Sequence, residues 1–135
     1  MYKYQVFISL LYSTGMRLSE CLHLKLAHVD GVRKEILIKN GKGGKDRYVN
    51  LPEFMLTILR EYYLREQPVE YLFNGKYKGK PLSASSAQRG VKVGVNQARI
   101  KKHVSTHTFR NCYATHHIES GTNIVYLQQQ MGHKY

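Results

Sequence analysis

Residues 10–20 read Leu-Leu-Tyr-Ser-Thr-Gly-Met-Arg-Leu-Ser-Glu, and this stretch joins two segments of helical character. Before Gly15, apolar side chains recur at helical spacing at Val6, Phe7, Leu10 and Leu11. Gly15 is placed to end that helix in a left-handed conformation, which glycine adopts without steric cost. A second short helix is then expected to carry Leu18, Leu22 and Leu24. Arg17 is therefore predicted to lie at a junction between two helices.

Further along, the pattern predicts a hairpin and then a helix. Residues 35–51 contain Ile-Leu-Ile, a Gly-Lys turn and Tyr-Val-Asn-Leu, which is typical of a β-hairpin with Lys42 on its tip. Pro52 suits the first turn of a helix that ends before Pro68. We expect the apolar residues of this helix to lie in the core: Phe54, Leu56, Ile58, Leu59, Tyr62, Tyr63 and Leu64.

The remaining sequence predicts an exposed loop followed by helices. Residues 74–80 are rich in Gly and Lys, as exposed loops are. Ser83 or Ser85 can cap the next helix, and Ser105 or Thr106 and then Asn123 can cap two more. The predicted fold is therefore α+β and predominantly α-helical, with a small antiparallel β-sheet. A length of 135 residues favours one domain, residues 1–135.

Composition indicates the compartment and the class of partner. The sequence has no apolar run long enough to span a bilayer and no signal-peptide pattern, so we expect a cytoplasmic protein without a membrane partner. Cys21 and Cys112 give no disulfide framework and are expected to be small buried residues. Lys and Arg number 21 against 9 Asp and Glu, a net charge of +12, which favours a nucleic-acid partner.

Four short stretches carry the candidate site. They are Thr-Gly-Met-Arg-Leu-Ser-Glu at residues 14–20, Gly-Lys-Gly-Gly-Lys-Asp-Arg at 41–47, His-Thr-Phe-Arg at 107–110 and Met-Gly-His at 131–133. In this order they resemble the motifs of the tyrosine recombinases, the phage integrase family, over nearly the whole chain. The resemblance implies the fold of a DNA breaking-rejoining enzyme, double-stranded DNA as the partner, and no metal or other cofactor.

The resemblance also implies a role for each site residue. Arg17 and Arg110 correspond to the family's two arginines, which can neutralise the charge that builds up on a phosphodiester under attack. Lys42 corresponds to the lysine that protonates the leaving 5′ oxygen. His107 would accept the tyrosine's proton or hold the phosphate, and His133 would bond a non-bridging oxygen. Glu20 is expected to support the site by orienting the arginine or histidine side chains, and the DNA-binding candidates are Lys45, Arg47, Arg89 and Lys92.

The nucleophile of this family is a tyrosine that forms a 3′-phosphotyrosyl link. It normally follows the third-motif histidine by about nine residues, two and a half helical turns, whereas Tyr135 follows His133 by two. We therefore expect the nucleophile outside the chain and the chain alone to be inactive. An N-terminal DNA-clamping domain is expected to be missing too. The parent would be a DNA-bound homotetramer, and this chain mostly a monomer.

Three other readings remain open. The chain can be an inactive or regulatory DNA-binding fragment, or a basic RNA-binding module that stacks bases on exposed tyrosines. A zinc site is the third, with candidates His103, His107, Cys112, His116 and His117. On one helix, however, His107 would face away from Cys112 and His116, which argues against a shared ion. His23 and His28 are expected to be surface or packing residues.

Overall fold

Residues 2–39 and 44–97 are described by a computed structural model of the chain, and they form four α-helices and three β-strands. The helices are α1 (Tyr2–Thr14), α2 (Leu18–Leu22), α3 (Glu53–Glu66) and α4 (Ala84–Gln97). The strands are β1 (Val29–Asp30), β2 (Glu35–Ile38) and β3 (Arg47–Asn50), and a 3₁₀ turn at Leu26–His28 precedes β1. The predicted α+β fold, mainly helical with a small antiparallel sheet, is confirmed.

Helix α1 packs one side into the core and ends as the sequence predicts. Its four apolar residues at helical spacing are all buried. Gly15 has φ 70°, and its N–H donates to the carbonyl of Leu11 at 2.9 Å. This left-handed residue turns the chain, so α2 begins shortly afterwards with Arg17 directly ahead of it. Leu24, predicted to belong to the second helix, lies beyond its end but is buried.

The sheet has the order β1-β2-β3, and both pairs are antiparallel. In the predicted hairpin, Ile36 lies opposite Val49, and both are fully buried. Leu37 and Tyr48 occupy the alternate positions and face outward. Strand β1 was not predicted, and it pairs Val29 with Ile36 at the edge of the sheet.

The core lies between α1, α3, α4 and the inner side of the sheet. The ring of Phe7 meets that of Phe73 edge-on at 5.0 Å between centroids. In α3, Leu56, Leu59 and Tyr62 are buried as predicted. Three other residues of that helix are not core, contrary to prediction: Phe54, Tyr63 and Leu64, exposed to 58%, 50% and 74%.

The segment after α3 is exposed only in part. Asn74 is buried because its amide accepts from the N–H of Val69 at 2.8 Å and donates to the carbonyl of Val69 at 2.9 Å. The predicted exposed loop therefore begins after Asn74, where residues 76–78 are exposed. Ser83 caps α4, since its Oγ accepts the N–H of Ser86 at 3.2 Å.

Gly90 explains why α4 carries a glycine in its interior. A Cβ on Gly90 would lie 2.3 Å from the ring of Tyr4, a distance that no real contact has. The missing side chain lets α4 approach α1 closely, and this packing offsets the helix propensity that glycine costs.

The predicted helices and the candidates beyond residue 97, Cys112 among them, lie outside the described residues. Cys21 is fully buried, as predicted, and burial raises the pKa of its thiol. Over residues 2–39 and 44–97, no helix is both long enough and apolar enough to cross a membrane.

Candidate active site

The backbone that carries Arg17 is held from both sides. Before it, the hydroxyl of Thr14 donates to the carbonyl of Leu10 at 2.6 Å and accepts the N–H of Met16 at 3.4 Å. Both Thr14 and Met16 are fully buried. Arg17 itself is extended, with φ −71° and ψ 152°, and its side chain is exposed at the surface. A rigid junction therefore presents this arginine to solvent.

Glu20 fixes the other side of the junction. Its Oε1 accepts the backbone N–H of Arg17 at 2.8 Å, across the first turn of α2. A carboxylate at this position satisfies an N–H that the helix leaves unbonded, as in a capping box. This contact is to the backbone of Arg17, and the predicted role of Glu20 in orienting arginine or histidine side chains stays a prediction.

Arg47 forms a two-bond ion pair with the same carboxylate. Its two terminal nitrogens donate to Oε2 and Oε1 of Glu20 at 2.7 and 2.9 Å. The side chains of Arg47 and Glu20 are only 13% and 10% exposed. Parallel charge-assisted bonds of this kind are strong and fix the relative orientation of the two groups.

The pKa of Glu20 reflects a balance of opposing effects. Burial raises the pKa of this carboxyl, but the hydrogen bonds from Arg47 and from the backbone of Arg17, together with their charges, outweigh burial and hold it below its usual value. Glu20 is therefore ionised at neutral pH. Because Glu20 is on α2 and Arg47 is the first residue of β3, the ion pair ties the base of the hairpin to the helix that follows Arg17.

A cavity of about 260 Å³ opens beside Arg17, between α2, the 3₁₀ turn and β2. Besides Arg17 and Glu20, its polar lining includes His23, His28 and Lys39. Sequence reasoning assigned no role at the site to these three residues. His23 is hydrogen-bonded to the carbonyl oxygen of Ser19, and their spacing of one helical turn could have indicated this bond. No local sequence pattern indicates that β2 forms a wall of the cavity.

The other predicted residues are placed as follows. Lys45 is exposed in the segment just before β3. Arg89 and Lys92 are exposed and lie three residues apart on α4, and so share a side of that helix. DNA contact by these residues and by Arg47 stays a prediction. The other four site residues, Lys42, His107, Arg110 and His133, lie outside the described residues, as do the zinc candidates.

Among the described residues, no three His, Cys, Asp or Glu side chains are grouped so as to hold a metal ion.

Comparisons with known proteins agree with the motifs. The sequence profile of the phage integrase family matches residues 1–135. A tyrosine recombinase of Thermosipho africanus (strain TCF52B) is 42% identical over 127 residues, which are 93% of this chain and 44% of that protein. Among solved structures, XerA recombinase has a TM-score of 0.86 at 28% identity, covering 98% of this chain and 54% of that one.

A second solved structure is XerH site-specific recombinase bound to difH substrate in a pre-cleavage complex. It has a TM-score of 0.85 at 28% identity and covers 99% of this chain and 40% of that one. The chain therefore belongs to the phage integrase family. It spans about half the length of the relatives that it matches.

Proposed function

We propose that this chain is the phosphate-binding part of the catalytic domain of a site-specific DNA recombinase or integrase. Such an enzyme cuts and rejoins DNA strands through a 3′-phosphotyrosyl intermediate. Membership of the phage integrase family supports the proposal, and so does the fold shared with a recombinase bound to its substrate.

The observation that carries the proposal is the setting of Arg17. This arginine is exposed at a rigid junction, and the carboxylate nearest to it in sequence, Glu20, is taken up by Arg47 and by the backbone. The negative charge of Glu20 interacts mainly with Arg47 and more weakly with Arg17. A guanidinium that is exposed at such a junction is suited to bind the oxygens of a phosphate, because its planar fork matches their geometry.

The proposed chemistry needs a second cation and two proton transfers. Attack by a tyrosine oxygen on phosphorus forms the phosphotyrosyl bond and breaks the bond to the 5′ oxygen. Arg17 and Arg110 stabilise the charge on the non-bridging oxygens. Lys42 gives a proton to the leaving 5′ oxygen, His107 receives the tyrosine's proton, and His133 bonds a non-bridging oxygen. The same steps in reverse reseal the strand, with no external energy source.

Lys42 lies in the sequence between β2 and β3, the two strands of the hairpin. The base of the hairpin is tied to α2 through the Glu20–Arg47 ion pair, which lies next to Arg17 in the fold. This tie supports a mechanism in which Lys42 and Arg17 act on one phosphate. On this proposal, Arg47 is a positioning residue that acts through Glu20, in addition to any contact it makes with DNA.

Duplex DNA is the proposed partner, and most contacts would be to its backbone. Lys45, Arg89 and Lys92 are exposed cations, and an overall charge of +12 favours such contacts. We further propose that the full recombinase acts in the prokaryotic cytoplasm as a DNA-bound tetramer, and that the 135-residue chain alone is mostly monomeric. Light scattering that shows a stable tetramer of this chain would contradict the last point.

The nucleophile is proposed to be a tyrosine other than Tyr135, because Tyr135 follows His133 too closely to match the family's spacing. The test uses a nicked duplex that traps covalent intermediates. We expect no adduct with the 135-residue chain, and an adduct with a version extended by about fifteen residues, roughly four helical turns, that supplies the family's tyrosine. A covalent adduct with the chain alone would show that the nucleophile is misassigned. Absence of an adduct with both, alongside tight DNA binding, would favour a regulatory DNA-binding protein.

A further inference from the structure

The cavity beside Arg17 is lined by more basic side chains than one phosphate needs. His23 lies at the end of α2, His28 ends the 3₁₀ turn, and Lys39 follows β2. All three line the same 260 Å³ space as Arg17. Leu24 and Ile38 also line this space, and the side chains of Arg17, His23 and Lys39 reach solvent.

The hydrogen bonding of His23 determines what its ring can bind. Nδ1 of His23 lies 2.8 Å from the carbonyl oxygen of Ser19. A carbonyl oxygen only accepts, so Nδ1 carries a proton and donates it. In the neutral ring, Nε2 is then an acceptor and repels another acceptor such as a phosphate oxygen. In the protonated ring, Nε2 becomes a donor that carries positive charge.

The charged groups around His23 favour an anion in the cavity. Glu20 is the one acidic side chain among the described residues that line the cavity, and both of its oxygens accept hydrogen bonds from Arg47. Lys39 pairs with Asp46 at 3.3 Å, but these side chains are 58% and 44% exposed. An exposed pair of this kind contributes little, so Lys39 can turn toward an anion at small cost. Among the described lining residues, Arg17 and Lys39 therefore place two positive charges beside the paired carboxylate of Glu20.

We propose that this cavity binds a second DNA phosphate, the neighbour along the same strand of the phosphate at Arg17, and that His23 holds it as an imidazolium through Nε2. The inference rests on the proposed function, because it requires DNA to lie across Arg17. Consecutive phosphates of one strand are close enough for adjoining sites to hold both. Binding of DNA is then coupled to uptake of a proton by His23.

The test measures the affinity for a random-sequence duplex over a series of salt concentrations, at about pH 6 and about pH 8. Three chains are compared: the wild type, His23→Gln, and the control Lys25→Gln. Glutamine can still donate to the carbonyl of Ser19 but carries no charge at either pH. Lys25 is a cation outside the cavity, paired with Glu70 at 3.4 Å.

We expect His23→Gln to bind about tenfold more weakly than the wild type at about pH 6, and almost equally at about pH 8. At the lower pH, loss of one phosphate contact should reduce the slope of log affinity against log salt by about 0.9. Lys25→Gln should change affinity by the same factor at both pH values. In the wild type, the Nε2 resonance of His23 should shift when the duplex is added.

Two results would overturn this inference but not the proposed function. In the first, His23→Gln binds DNA with the same pH dependence of affinity and the same slope of log affinity against log salt as the wild type. In the second, the Nε2 resonance of His23 in the wild type does not change when the duplex is added. Failure of the wild type to bind DNA in a salt-sensitive way would overturn the proposed function and this inference together. The thermal midpoints of the three chains, measured alongside, show that all are folded.

Discussion

Arg47 and Glu20 are 27 residues apart in sequence, yet their side chains form two parallel hydrogen bonds at 2.7 and 2.9 Å. The same carboxylate accepts the backbone N–H of Arg17 at 2.8 Å. One acidic residue therefore joins the first residue of β3 to the junction between α1 and α2. These hydrogen bonds hold the base of the hairpin close to the backbone of Arg17.

Replacing Arg47 by Ala should destabilise the protein by about 2 kcal/mol, because Glu20 is left charged, poorly exposed and without its main partner. Chemical denaturation measures the change. The double variant Arg47→Ala with Glu20→Gln should recover part of the loss, since no charge is then stranded.

The matched control is Lys25→Ala, which breaks an ion pair whose side chains are 43% and 52% exposed. Its effect should stay below about 1 kcal/mol. Equal effects of Arg47→Ala and Lys25→Ala would show that the Glu20–Arg47 ion pair is an ordinary surface contact.

The lowered pKa of Glu20 predicts the direction of a pH effect. Because the folded state holds this carboxyl below its ordinary value of 4.5, Glu20 stabilises the fold above that value. The stabilisation is lost as pH falls through the lower, folded pKa. Glu20→Gln should therefore be less stable than the wild type at neutral pH, and the difference should shrink in acid.

Urea denaturation at neutral and acidic pH checks this, with Glu53→Gln as the control. A hydrogen bond from Lys34 also lowers the pKa of Glu53, but Glu53 lies at the surface, so the pH-dependent difference should be smaller. A difference for Glu20→Gln that grows in acid would show that the direction is wrong.

Local signals in the sequence were sufficient for the elements nearest the site. Gly15 indicated where α1 ends, the Ile-Leu-Ile and Tyr-Val-Asn-Leu segments indicated the hairpin, and Ser83, one of two predicted caps, indicated the start of α4. Each of these features depends on residues within a few positions of one another. The motif order also indicated the family, which the comparisons confirm.

Features that depend on distant residues were not predicted. Strand β1 is only two residues long and exists through its pairing with β2, so it has no periodicity of its own. The ion pair between Arg47 and Glu20 was not predicted, because the sequence does not show that these residues of β3 and α2 meet. Tyr63 and Leu64 were assigned to the core because apolar character alone does not tell which side of α3 is covered.

Gly90→Ala should destabilise the protein, although the same change in an exposed helix stabilises it by about 1 kcal/mol. The added methyl would overlap the ring of Tyr4 and separate α4 from α1, at a cost of about 1–3 kcal/mol. Thermal denaturation measures the effect.

Gly31→Ala is the control for Gly90→Ala. A Cβ on residue 31 would lie 3.4 Å from the side chain of Arg60 and 3.7 Å from that of Leu56, close to ordinary contact distances. Its effect should be small. A Gly90→Ala protein as stable as the wild type would show that Tyr4 moves aside freely.

Arg17→Lys should separate cleavage from binding. Lysine keeps the charge but loses the planar fork, so the extended version should form adduct at least about a hundredfold more slowly. Affinity for duplex DNA should change far less, because one phosphate contact among many is altered. Rates of adduct formation and equilibrium binding, measured on the same protein, check both halves. Equal loss of both would favour a simple binding role for Arg17.

The most direct test of the central claim is a crystal structure of the chain bound to duplex DNA. The account predicts that the guanidinium groups of Arg17 and Arg110 contact the non-bridging oxygens of one and the same phosphate, with no divalent ion between them. Guanidinium groups that contact different phosphates, or that face separate regions of the protein, would contradict it.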